Sequence, residues 1–121
     1  MRTIKLAVAA GIAGMMVMAS SVQAQTPPKK EETGKDIAFN RAKGNCLACH
    51  GMPTQPDAQS TGLYGPPLIA MSARYPDKAK LRAKIWDATA SSPNTSMPPF
   101  GKHKVLTEQE IDKVTDFIHS L

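Results

Sequence analysis

Cysteine is almost missing from this 121-residue chain, which has only Cys46 and Cys49. Two thiols that close together can enclose only a very short loop, and so small a loop stabilises a fold little, which excludes a disulfide-built scaffold. Aromatic side chains are also scarce: Phe39, Tyr64, Tyr75, Trp86, Phe100 and Phe117 are all there are. No stretch alternates apolar and polar residues as a convincing strand would, so a sheet-based architecture is not expected. The N-terminal apolar run, residues 6–19, has 14 residues and falls short of the ~20 needed to span a bilayer. Positive charge is spread thinly, with a net value of +5, and this is not the charge pattern of a nucleic-acid-binding protein. There is no internal repeat.

What is present begins with a targeting signal. Arg2 and Lys5 precede the apolar run, and the small residues Val22 and Ala24 close it. That order predicts a secretory signal peptide over residues 1–24, cleaved after Ala24, and hence a periplasmic protein. A retained anchor is the alternative, which the short run argues against. Cleavage leaves 97 residues starting at Gln25, with 13 basic and 10 acidic side chains and no membrane span. Residues 25–34, "QTPPKKEETG", carry prolines and charges without apolar periodicity and read as a flexible leader. Residues 35–121 then form one domain. A domain this small buries only ~60% of its unfolded surface and needs something to supplement its core.

Helices are the expected elements, which makes the fold class all-α. Residues 36–43 form a short candidate carrying Ile37 and Phe39, closed by Gly44. Asp77 can cap a second helix whose apolar stripe is Leu81, Ile85 and Ala88. Thr107 and Glu110 make a T-x-x-E capping box ahead of Ile111, Val114, Phe117, Ile118 and Leu121. Between these lie long proline-rich connections, residues 52–67 and 91–101. Loops of that length are unusual in a small domain unless they wrap around something.

The stretch "KGNCLACHGMP" says what that is. In helical geometry Cys46, Cys49 and His50 stand at i, i+3 and i+4, so two sulfurs and an imidazole share one face. Thiols so placed can add across the two vinyl groups of a porphyrin while the histidine reaches the iron, and C-x-x-C-H is the attachment signature of haem c. A thioredoxin-like dithiol would require a βαβ setting, and a zinc site two further ligands at suitable spacing. His103 and His119 are 16 residues apart and do not make the H-x₃₋₅-H pair. The reading is therefore one covalent haem, held through Cys46 and Cys49, with His50 as an iron ligand.

A second axial ligand is sought among Met52, Met71, Met97, His103 and His119. Met52 is too close to His50 to reach the opposite face. Met71 follows "GPPLIA" and reads as ordinary packing. Met97 lies in "NTSMPPFG", where two prolines bar regular structure and extend the chain, so its thioether can be aimed inward. His/Met coordination is the common electron-transfer arrangement. His103, in "KHK", reads as a solvated turn, and His119, in a last helical turn, as a surface residue suited to the helix dipole. The segment "GPPL" offers Pro66 and Pro67, whose carbonyls can accept the remaining N–H of a ligating histidine.

The order CLACH, GPPL, loop methionine before proline, and capped terminal helix resembles the class I c-type cytochromes across the expected mature chain. That resemblance implies a small fold of helices and long loops around the haem, with Pro66 or Pro67 holding His50. It also implies that the first and last helices cross, packing Ile37 and Phe39 against Ile111, Val114 and Phe117. The second half is closer still to one group. "RYPDKAKLRAKIWDA" and "PNTSMPPFGKH" resemble SoxX, the monohaem subunit of the SoxAX cytochromes of bacterial sulfur oxidation.

The SoxX resemblance implies His50 and Met97 as iron ligands, a heterodimer with a SoxA-type cytochrome subunit carrying one or two haems, and a downstream acceptor cytochrome. In that group the complex is an L-cysteine S-thiosulfotransferase, and thiosulfate is joined to a carrier-protein cysteine on the A subunit. This chain would be the electron-receiving subunit, without a catalytic residue of its own. The residues agree with that role, since haem attachment leaves no free cysteine as a nucleophile and no Ser/His/Asp or paired-carboxylate set is present. The alternative is a free-standing periplasmic electron carrier, which needs the same haem without a permanent partner. A haem peroxidase would need a vacant distal side. Lys102, His103 and Lys104, just after Met97, are expected to steer an acidic partner.

Overall fold

Four α-helices and no strand make up the regular structure among the described residues, 30–121, of this computed structural model. The expected signal peptide and residues 25–29 of the leader lie outside them. The first helix, α1 (Gly34–Phe39), starts at a capping box in which the Thr33 side chain accepts the Asp36 amide and the Asp36 carboxylate accepts the Thr33 amide. It therefore begins before the expected start at residue 36. It also ends early, because the Asn40 side-chain carbonyl accepts the Ala42 amide at 2.9 Å, a local bond that competes with helical pairing. Upstream, Glu31 pairs with Lys113 at 2.5 Å and Glu32 pairs with Lys43.

A single turn, α2 (Met71–Arg74), was not foreshadowed by any periodicity. Next comes α3 (Lys78–Trp86), capped by Asp77, whose carboxylate accepts the Ala79 amide at 3.0 Å. Leu81 and Ile85 are buried as expected, whereas Ala88 is buried from a 3₁₀ turn beyond the helix end. The last helix, α4 (Glu108–His119), has the expected Thr107/Glu110 box and buries Ile111, Val114 and Ile118.

The longest helix, α4, is the organising element, packing against both α1 and α3. Phe39 and Phe117 meet edge to face at 6.2 Å and 73°, a favourable aromatic geometry. A Cβ on Gly34 would lie 2.0 Å from the Lys113 carbonyl oxygen, so only glycine lets α1 rest on the α4 backbone. The α1/α4 packing implied by the class I resemblance is therefore present. No helix among the described residues is long and apolar enough to cross a membrane.

Candidate haem-binding site

Asn45, at φ 47, precedes a 3₁₀ turn, Cys46–Ala48. Asparagine tolerates that left-handed backbone better than most residues. The Cys46 carbonyl accepts the amides of both Cys49, at 3.2 Å, and His50, at 2.9 Å. One tight turn thus carries the two thiols and the imidazole, where their spacing had suggested α-helix. Both cysteines are free and half-buried. Burial pushes the Cys46 thiol up to about 11, which keeps it neutral near pH 7. A redox-active dithiol requires the opposite shift.

Residues 62–68 are laced along residues 47–51. The amides of Gly62, Gly65 and Leu68 donate to the carbonyls of Leu47, Cys49 and Gly51, each at 2.8 Å. This lacing brings the Pro66 carbonyl 2.7 Å from His50 Nδ1. A carbonyl can only accept, so Nδ1 is the donor in this contact and Nε2 is the ring nitrogen it leaves uncommitted. Pro67 does something else: its carbonyl accepts from Arg74 Nη1 at 2.8 Å, and the same nitrogen is 3.3 Å from Met71 Sδ. A Cβ on Gly65 would stand 2.4 Å from His50 Cε1 and 2.7 Å from Nδ1. Glycine is what lets this strap lie flat on the ring.

Met97 is half-buried and packs against the same hydrophobic core as Cys46. Its amide donates to Thr95 Oγ1 at 3.2 Å. Both ends of its loop are tied to the α3 end. Gly101 and Lys102 donate their amides to the Trp86 carbonyl at 3.1 and 3.2 Å, and Lys84 donates to the Ser91 and Ser92 hydroxyls at 2.7 and 2.9 Å. Met52 and Met71, by contrast, are each 2% exposed core side chains. His103 is exposed, as expected. His119 is not a plain surface residue, because its Nε2 donates to the Tyr75 carbonyl at 3.0 Å.

Lys102 pairs with Asp87 at 2.8 Å and holds that carboxyl down to about 2. The expected basic cluster after Met97 therefore has one of its charges already engaged. Two surface clefts, of about 360 and 350 Å³, lie elsewhere, along α3 and α4 and beside the N-terminal segment. Sequence reasoning missed Arg74 and Tyr64. Nothing in the local sequence marks Arg74, whereas one of the chain's six aromatic residues lying in an irregular loop was a usable signal for Tyr64.

Two free thiols on one turn, an imidazole whose Nδ1 is tethered to a backbone carbonyl, and a half-buried thioether on a separate loop form a donor set that fits haem c. A family model for cytochrome c matches residues 31–121, and the chain belongs to the cytochrome c family. It is an electron-transfer domain with one covalent haem c, its cysteines being Cys46 and Cys49. Among curated proteins it is 31% identical over 77 residues to an uncharacterized lipoprotein of Aquifex aeolicus (strain VF5). It is 36% identical over 87 residues to the Cbb3-type cytochrome c oxidase subunit CcoP of Azospirillum sp. (strain B510). Each match covers 64% of this chain but only 36% and 27% of those relatives. A similar solved structure is SoxXA from P. pantotrophus, with a TM-score of 0.65 and 28% identity over 72% of this chain and 77% of that one.

Proposed function

We propose that this protein is the SoxX-type electron-transfer subunit of a periplasmic SoxAX L-cysteine S-thiosulfotransferase. Its likeness to SoxXA, in both sequence and backbone, supports the reading more specifically than the C-x-x-C-H motif, which c-type cytochromes share. In this proposal Cys46 and Cys49 would attach the haem, His50 Nε2 and Met97 Sδ would ligate its iron, and the Pro66 carbonyl orients His50. The observation that carries the site is the 2.7 Å contact from His50 Nδ1 to Pro66. Nδ1 donates to that carbonyl, which orients the ring and leaves Nε2 as the nitrogen available to iron.

Bound there, haem c supplies a one-electron couple. The chain's own residues orient the imidazole, aim a thioether from a stiff loop and offer no nucleophile. The SoxA-type subunit would bind thiosulfate and hold the reacting carrier cysteine, with electrons leaving to a downstream cytochrome. Residues 1–24 serve as the export signal in this reading, residues 25–34 as a leader and residues 35–121 as the cytochrome domain. A pull-down from periplasm with haem-stained gels tests the partnership. Recovery of a second haem-bearing subunit is expected, whereas a lone monomer in the presence of an available A subunit would indicate a free-standing carrier. A sulfur-to-iron charge-transfer band in the oxidised protein tests the Met97 assignment.

A further inference from the structure

The 91–101 loop is tied to α3 only at its two ends, leaving the stretch around Met97 with few connections. One bond reaches it from the other side. Tyr64 Oη lies 3.0 Å from Ser96 Oγ, across 32 residues of sequence. Among the described residues this is the only hydrogen bond between residues 44–70 and residues 91–101. Each end is significant. Tyr64 sits between Gly62 and Gly65, whose amides are bonded to Leu47 and Cys49 of the cysteine turn, so its backbone is fixed relative to His50. Ser96 is the residue before Met97.

We infer that Tyr64 is a positioning residue for the methionine loop: its phenol, bonded to Ser96, clasps the loop to the segment that holds His50 and restrains Met97 from swinging away. This rests on the reading of Met97 as an axial ligand. Tyr64 is 78% exposed, so it contributes little to the core, and removing its hydroxyl alone leaves the packing intact. A net hydrogen bond of ordinary strength corresponds to about a two- to tenfold change in an equilibrium. That is too small to hold the fold together and large enough to set how often a loop ligand detaches.

The test uses the haem-loaded full chain and five variants: Tyr64→Phe, Ser96→Ala, the two combined, Ser96→Thr, and Met97→Ala. The readouts are the apparent affinity of the ferric protein for imidazole, which must displace the methionine, and the temperature at which the charge-transfer band disappears. Each single substitution should raise imidazole affinity about two- to tenfold and lower that temperature. The double variant should do no more than either single, because both remove the same bond. Ser96→Thr, which keeps a hydroxyl, should restore wild-type behaviour. Unchanged affinity in both singles, or additive effects in the double, would overturn the clasp while leaving Met97 as ligand. A band that survives Met97→Ala would overturn the ligand assignment and the clasp with it.

Discussion

The two regions that flank the haem site are built differently. The His50 side is laced: three backbone hydrogen bonds of 2.8 Å join residues 62–68 to residues 47–51, and a carbonyl holds the imidazole itself. The Met97 side is a loop fastened at its ends to Trp86 and Lys84, with one side-chain bond to Tyr64 in between. A backbone ladder opens only by breaking several bonds together, whereas a loop anchored at its ends can release its middle locally. The contrast teaches that the fold commits rigidity to the His50 segment and leaves the Met97 loop the more readily displaced of the two.

The strongest way to break the comparison is to remove the covalent attachment. Cys46→Ala with Cys49→Ala should leave the chain largely unfolded, because the ring supplies apolar contacts that six aromatic residues cannot. Far-UV circular dichroism checks this, and a cooperative helical melt without haem would contradict it. The methionines sharpen the comparison next. Met71→Ala should cost about 2–5 kcal/mol of stability as a core truncation yet keep the charge-transfer band. Met97→Ala should lose the band, admit exogenous ligands and lower the potential, with a smaller stability cost because Met97 is only half-buried. Urea titration and visible spectroscopy on the same samples separate the two.

Gly65→Ala attacks the laced side directly. Its methyl group would press on the His50 ring, and overpacking of this kind costs about 1–3 kcal/mol. It should disturb the histidine's hydrogen bond to Pro66 more than Met97 coordination, which ring-proton NMR of the reduced protein can report.

A milder effect is expected from acid. Lys43, joined to Glu110 at 2.6 Å, holds that carboxyl down to about 2, helped by the Thr107 amide. A carboxyl lowered by folding stabilises the protein fully above its ordinary value near 4.5 and loses that contribution as pH falls towards 2. Glu110→Gln should therefore flatten the decline of stability over that interval and cost about 1 kcal/mol at neutral pH. Thermal melts at stepped pH measure both. The smallest change should come from Lys104→Glu. Lys102 is already paired with Asp87, so Lys104 is the cation left to steer an acidic partner, and its reversal should slow association at low salt and not at high salt. Stopped-flow reduction at two ionic strengths, with Lys80→Glu as the control on α3, checks this.

Much of the molecule was readable from sequence because its signals are local. The Asp77 cap, the Thr107/Glu110 box and the stripes of α3 and α4 each involve residues within a few positions of one another, so geometry along the chain determined them, whereas the C-x-x-C-H run was legible as a motif but folds as a 3₁₀ turn instead of the α-helix its spacing suggested. The limits of α1 were missed where two short-range polar bonds, at Thr33 and Asn40, outweighed the apolar pattern. What only tertiary structure decided are pairings between distant loops. Sequence left Pro66 and Pro67 equivalent, and the lacing of residues 62–68 onto the cysteine turn gave His50 to Pro66 and Arg74 to Pro67. Sequence marked Met97 through its flanking prolines but could not bring Tyr64 to Ser96, 32 residues away. Such contacts depend on how irregular segments lie against each other. No periodicity encodes that, because proline-rich loops take their path from the surfaces they cover rather than from a repeating backbone pattern.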